Sequence, residues 1–141
     1  MALKPLLIDT GPLVAYLDNA DKEHKKVAAV LDDFTGTLCT TSAVITESMH
    51  LLKDDRNGPN RLAEFVQAVG LHIFECTQVQ QLLSAVSLME KYFDSPMDFA
   101  DATLILLGDE IGTNRIVTLD RRGFVTFRTR KGKSFETLPN R

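Results

Sequence analysis

Two cysteines in 141 residues are too few for a disulfide framework, and Cys39 and Cys76 show no metal-ligand spacing. Both read as reduced core residues. Long apolar runs are missing as well: none approaches the length that spans a bilayer. The first residues lack the basic head, apolar centre and small-residue cleavage site of a signal peptide, because Asp9 interrupts the apolar run almost at once. These absences point to a cytoplasmic protein with no membrane partner. Internal repeats, low-complexity tracts and linkers are absent too, so residues 1–141 are expected to form one domain, long enough to bury a substantial core.

Positive charge is scarce over most of the chain. Residues 1–114 hold 8 Lys/Arg against 17 Asp/Glu, whereas residues 115–141 hold 8 against 2, so the formal net charge of −3 conceals an acidic body and a basic end. A basic segment of this kind suits a polyanion-binding surface; a solvated tail would have the same composition.

What the sequence does have is a short apolar run delivering an aspartate, twice. Leu6-Leu7-Ile8-Asp9 is followed by the turn residues Thr10-Gly11-Pro12, and Arg115-Ile116-Val117-Thr118-Leu119-Asp120 by Arg121-Arg122-Gly123. Both read as buried strands ending in a carboxylate. Between them, helical spacing of apolar residues predicts helices over about 21–34, 41–53, 60–69, 78–93 and 98–108. The fourth carries Val79, Leu82, Leu83, Val86 and Met89 on one stripe, and the fifth is apolar nearly all round, which predicts deep burial. Short strands are expected at 37–40 and 71–76. Two further β-like runs, 124–129 and 134–138, are expected around a hairpin turn at Arg130-Lys131-Gly132-Lys133. Strands alternating with helices imply an α/β fold, a central parallel sheet with helices on both faces in a Rossmann-like sandwich. In such sheets ligands bind beyond the carboxyl ends of the strands, so Asp9 and Asp120 are candidates for one pocket.

Each acid also has a structural use open to it. Asp9 stands where a helix cap would stand, and Asp120 opens a turn. Glu47 sits at the edge of the apolar arc of its helix, where a solvated glutamate is ordinary. Asp98 and Asp101 are neighbours on one helical face and fit a capping box, yet they head a helix built for burial, and an unpaired buried carboxylate is costly. Only Arg121 lies close in sequence to any of these acids. Like charges about 4 Å apart repel by roughly 4 kcal/mol per pair at an effective dielectric of 20. If the acids converge, they therefore need a cation between them. Carboxylate oxygens without clustered Cys or His are the ligand set for Mg²⁺ or Mn²⁺.

Ile8-Asp9-Thr10-Gly11-Pro12-Leu13, Thr46-Glu47, Met97-Asp98-Phe99-Ala100-Asp101-Ala102 and Val117-Thr118-Leu119-Asp120-Arg121-Arg122-Gly123-Phe124, taken in order, resemble the PIN-domain family. The closest likeness is to its small VapC-type toxins of toxin–antitoxin modules. The resemblance covers essentially the whole chain. It implies a metal-dependent ribonuclease in which Asp9, Glu47, Asp101 and Asp120 bind Mg²⁺ or Mn²⁺, with Asp98 as an additional acid. It further implies that Thr10 and Thr118 support the acids by hydrogen bonds, and that the partners are an RNA substrate, a small antitoxin protein and a second copy in a homodimer. Arg121, Arg122, Arg128, Arg130, Lys131 and Lys133 are the corresponding candidates for phosphate contacts.

Other patterns fit less of the chain. Leu7-Ile8-Asp9-Thr10-Gly11 is similar to the active-site motif of retroviral-type aspartic proteases, but those are all-β. A haloacid-dehalogenase-type phosphatase needs an Asp where Gly11 stands. Glu47-Ser48-Met49-His50 has the Glu-x-x-His spacing of di-iron bundles without a second pair, which leaves His50 as a surface or interface residue. A PIN-like module that binds RNA or protein without turnover is the alternative from another class.

Overall fold

A computed structural model describes residues 4–140, without the side chain of Arg121. Among the described residues the chain alternates short strands and helices: β1 (Leu6–Ile8), α1 (Thr10–Leu17), α2 (His24–Asp33), β2 (Leu38–Thr41), α3 (Ser42–Leu52), α4 (Gly58–Val69), β3 (His72–Phe74), α5 (Val79–Lys91), α6 (Phe99–Ile111), β4 (Arg115–Val117), α7 (Arg121–Thr126) and β5 (Glu136–Leu138). The sheet order is β3-β2-β1-β4-β5, and every pairing is parallel. Right-handed crossovers then place α1–α4 over one face and α5–α7 over the other. That is the expected α/β sandwich. The central strand β1 is 0% exposed at all three residues, as a strand covered on both faces must be.

Local chemistry sets most boundaries. Thr41 caps α3 by accepting from the Val44 N–H, and Gln78 and Gln81 form a capping box at the head of α5. Gly70 and Gly112 end α4 and α6 at φ 64° and 74°, in the left-handed region that glycine enters without a Cβ penalty. α6 runs to Ile111, three residues beyond the expected end, because Gly108 packs inside the helix and Gly112 is the true stop.

Two expectations fail. The run 124–129 is not a strand: residues 121–126 form α7, whose N-cap Asp120 accepts from the Gly123 N–H at 3.0 Å. The aromatic and β-branched residues Phe124, Val125, Thr126, Phe127 and Thr129 make the run β-like in composition. What decides the outcome is the three-residue spacing of Phe124 and Phe127, which buries both rings edge-to-face with centroids 5.3 Å apart. The turn at 130–133 does form, with an antiparallel bridge between Arg128 and Ser134, but β5 then joins the sheet parallel to β4. Second, most of the α5 stripe does not face the core, although Met89 at its end is half-buried against it. Val79, Leu82, Leu83 and Val86 are 68%, 39%, 58% and 48% exposed, and the helix packs inward through Ala85 and Leu88 instead.

Candidate active site

Consecutive connections leave β1 toward β2 and later enter β4 on its other side, so the strand order reverses between β1 and β4. The carboxyl ends of these two strands are where the acids gather. Asp9 follows β1 directly and caps α1: its Oδ1 accepts from the Thr10 N–H at 2.8 Å. Its Oδ2 accepts from the Thr118 hydroxyl at 3.0 Å, and the same hydroxyl accepts from the Asp120 N–H at 3.0 Å. One threonine thus ties the tip of β4 to the carboxylate at the tip of β1. Beneath them, the Thr40 hydroxyl donates to the Ile8 carbonyl at 2.7 Å, and Thr41 and Thr103 share a hydrogen bond of 2.8 Å that joins α3 to α6.

α6 delivers the second carboxylate. Asp98 and Asp101 do form the capping box: the Asp101 N–H donates to Asp98 Oδ1 at 2.8 Å, and the Asp98 N–H to Asp101 Oδ2 at 3.1 Å. Capping and burial coexist here. Asp98 is exposed, whereas Asp101 is 7% exposed and Asp9 8%. Desolvation is the main cause that raises Asp9 to about 6, against the lowering effect of the Thr10 and Thr118 hydrogen bonds; the charges of Asp98 and Glu47 add to the rise. Asp101 is raised to about 8, again chiefly by desolvation and then by the charges of Asp98 and Asp9. Asp9, Glu47, Asp98 and Asp101 therefore share one field, with Glu47 half-buried on α3. Asp120 is exposed and engaged as the cap of α7, and it is not among the charges that raise the buried pair.

The donor set suits a hard cation. It is all oxygen, two of its members are buried, and among the described residues none of the five acids is ion-paired. Thr10 Oγ1 and Ser48 Oγ, beside Asp9 and Glu47 in the chain, are buried without a hydrogen-bond partner. Among the described residues no three His, Cys, Asp or Glu side chains form a ready-made ligand group. Mg²⁺ does not demand one, since it keeps several waters and takes one or two carboxylates.

The supporting and basic residues divide. Thr118 supports Asp9 through its hydroxyl, but Thr10 does so through its backbone N–H. Arg128 is not a free phosphate ligand: its Nη1 donates to the Val125, Thr126 and Phe127 carbonyls at 2.6, 3.1 and 3.0 Å, capping the end of α7. Arg130, whose N–H reaches Asp109, lies with Lys131 and Lys133 near the C-terminal end of α6. A helix of that length is about 20 Å long, so these cations do not converge on the acids at its other end. Arg122 is exposed on α7 next to Asp120. The side chain of Arg121 lies outside the described residues. Sequence reasoning gave no sign of the Ser48 hydroxyl, nor of a cavity beside Glu47 and Asp98 that exposed His50 helps to line.

Comparison with known proteins adds to this geometry. The family model described as PIN domain matches residues 6–128. Ribonuclease VapC26 of Mycobacterium tuberculosis is 29% identical over 136 residues, which cover 95% of this chain and 100% of that protein. Among solved structures, Mycobacterium tuberculosis VapC20, a Sarcin-Ricin loop cleaving toxin, superposes with a TM-score of 0.71 at 15% identity, covering 79% of this chain and 86% of that one. VapBC2 from Rickettsia felis, bound to a DNA fragment from their promoter, gives 0.67 at 13% identity over 96% and 99%. FitAB bound to an IR36 DNA fragment gives 0.64 at 15% identity over 94% of each. At such identities the structural likeness speaks for the fold alone.

Proposed function

The chain belongs to the PIN-domain family, and from that premise we propose that it is a single-domain cytoplasmic endoribonuclease, the toxin of a toxin–antitoxin pair, dependent on Mg²⁺ or Mn²⁺. The observation that carries this is the pair of buried carboxylates, Asp9 and Asp101, each pushed up by desolvation and by neighbouring acids, with no cationic side chain among the described residues to neutralise them. Its relative at 29% identity is a ribonuclease by name.

A divalent cation held by Asp9, Asp101, Asp98 and Glu47, with Asp120 at the periphery, would stabilise charge on the phosphate oxygens and acidify a water. The residues of the chain supply the rest. Thr118 and the Thr10 N–H fix both oxygens of Asp9, and the reciprocal Asp98–Asp101 bonds fix the carboxylates of α6. Asp9, Asp98 and Asp101 are therefore oriented before substrate arrives. Arg122 meets the RNA backbone at the rim.

The partners follow from the same premise: an RNA substrate, a small antitoxin protein over the acidic cleft, and a second copy of the chain. The exposed α5 stripe supports the homodimer. Residues 76–89 carry no charged side chain in a chain that is 25% charged. A two-fold contact brings identical patches together, so an uncharged apolar stripe can meet itself without like-charge repulsion.

The test is cleavage of RNA by purified protein in Mn²⁺. Cleavage that stops with EDTA and in Asp9→Asn is the expected result. Protein that binds RNA in Mn²⁺ and leaves it uncut would instead establish a binding module.

A further inference from the structure

A cavity of about 570 Å³ opens beside the acids, between the outer face of α3 and the head of α6. It is continuous with the site, because Glu47 and Asp98 line it. No Lys or Arg is among its described lining residues. Beyond the cation that Glu47 and Asp98 would share with Asp9 and Asp101, a phosphate would meet no positive side chain among these residues, so the charged backbone of an RNA strand is held at that cation and along the rim. A neutral group is not. The cavity offers the surfaces that single-stranded bases use: the half-buried ring of Phe99, the methyls of Ala43 and Ala100, and the exposed imidazole of His50.

The hydroxyl of Thr46 gives the cavity a direction. It donates to the Ser42 carbonyl at 3.0 Å, which spends its proton and leaves its lone pairs as an acceptor. An acceptor at that point favours a base carrying an exocyclic amine, which projects beyond the ring, over uracil, whose one donor on that edge, N3–H, is flanked by two carbonyls that the acceptor repels.

We propose that this cavity is a nucleobase subsite. It takes the base of a nucleotide flanking the scissile phosphate and prefers one bearing an exocyclic amine, with Thr46 as the residue that sets that preference and His50 as a surface on which any base stacks. The proposal rests on the ribonuclease reading above and deepens it.

A random-sequence RNA pool cut in Mn²⁺, with the cut ends sequenced, tests it on wild type, Thr46→Val and His50→Ala. Both side chains are exposed, so both variants should keep the wild-type circular dichroism and melting temperature. Wild type is expected to show amine-bearing bases enriched over uracil at one flanking position. In Thr46→Val that enrichment should fall about tenfold, the discrimination one hydrogen bond supplies; in His50→Ala, binding of any base at the position should weaken. A pool left uncut by wild type defeats the ribonuclease reading, and the subsite with it. A pool that is cut without a flanking preference, or with the same preference in both variants, overturns the subsite alone.

Discussion

α5 and α6 are thirteen residues each and lie against one another, yet they break the usual partition of side chains in opposite directions. α6 buries nearly everything it carries, including the carboxylate of Asp101. α5 buries only Ala85 fully and turns Val79, Leu82, Leu83 and Val86 to the outside. A buried charge and an exposed apolar stripe are both costly when the chain is alone. Under the function proposed above, each cost would be removed by something the chain does not itself contain, a cation for α6 and an apolar surface for α5. Departures from ordinary patterning thus mark two separate sites of interaction, one chemical and one associative.

Substitutions on the two helices should therefore separate. The largest effect is expected from Asp101→Asn, which should lower RNA cleavage on the order of a thousandfold by loss of metal-assisted charge stabilisation, measured as single-turnover rate in Mn²⁺. The variant should remain folded. At pH 8 without metal it should melt higher than wild type, because asparagine has no proton to give up in a desolvated place.

The pH dependence of stability tests the same burial. An unfolded chain releases the Asp9 and Asp101 protons near 3.8, whereas the folded protein holds them to about 6 and about 8. Between those values the folded state binds more protons, so the stability of metal-free protein should fall as pH rises through that window. The loss is on the order of 3 kcal/mol for Asp9 alone. Urea titrations across pH 4 to 9 should show it, and saturating Mn²⁺ should flatten the slope. Metal-free stability that rises over the same range would contradict the desolvated placement of both acids.

On α5, Leu83→Asp should leave the melting temperature near wild type and weaken self-association by about 2 kcal/mol or more, the loss of a buried interface anchor. Light scattering against concentration reads it directly. If Leu83→Asp instead unfolds the protein, the stripe belongs to the core and the contrast between the helices collapses. The smallest effect is expected at the tie between strands. Thr118→Val should cost about 1 kcal/mol in stability and move Asp9 still higher, since it loses a hydrogen bond that favours its charged form. Carboxyl NMR titration follows that shift.

Much of this organisation was legible in advance. Helical and strand periods depend on neighbours in sequence, so the alternation of elements, the parallel sheet and the stop at Gly70 followed from pattern, whereas α6 passes the expected Gly108 and stops at Gly112. The acids at the ends of β1 and β4 and at the head of α6 were legible because a carboxylate next to an apolar run needs a reason. α7 was not, because a six-residue helix is too short for its period to outweigh a β-like composition, and its formation depends on two rings finding the same pocket. The basic end was visible as composition, but its place was not: the turn at Arg130–Lys133 folds to the far end of α6, and Arg128 is taken up by three carbonyls.

Sequence by itself determined which residues are acidic, which elements they terminate, and that α6 must be buried while it carries charge. Tertiary structure alone decided which acids share a field. Asp9 and Asp101 are 92 positions apart, and it is the strand-order reversal between β1 and β4 that brings their ends together and takes them out of water. Burial is a property of the assembled layers, not of any segment. The raised affinity of Asp9 and Asp101 for protons, and the outward turn of α5, therefore exist only once the layers have closed.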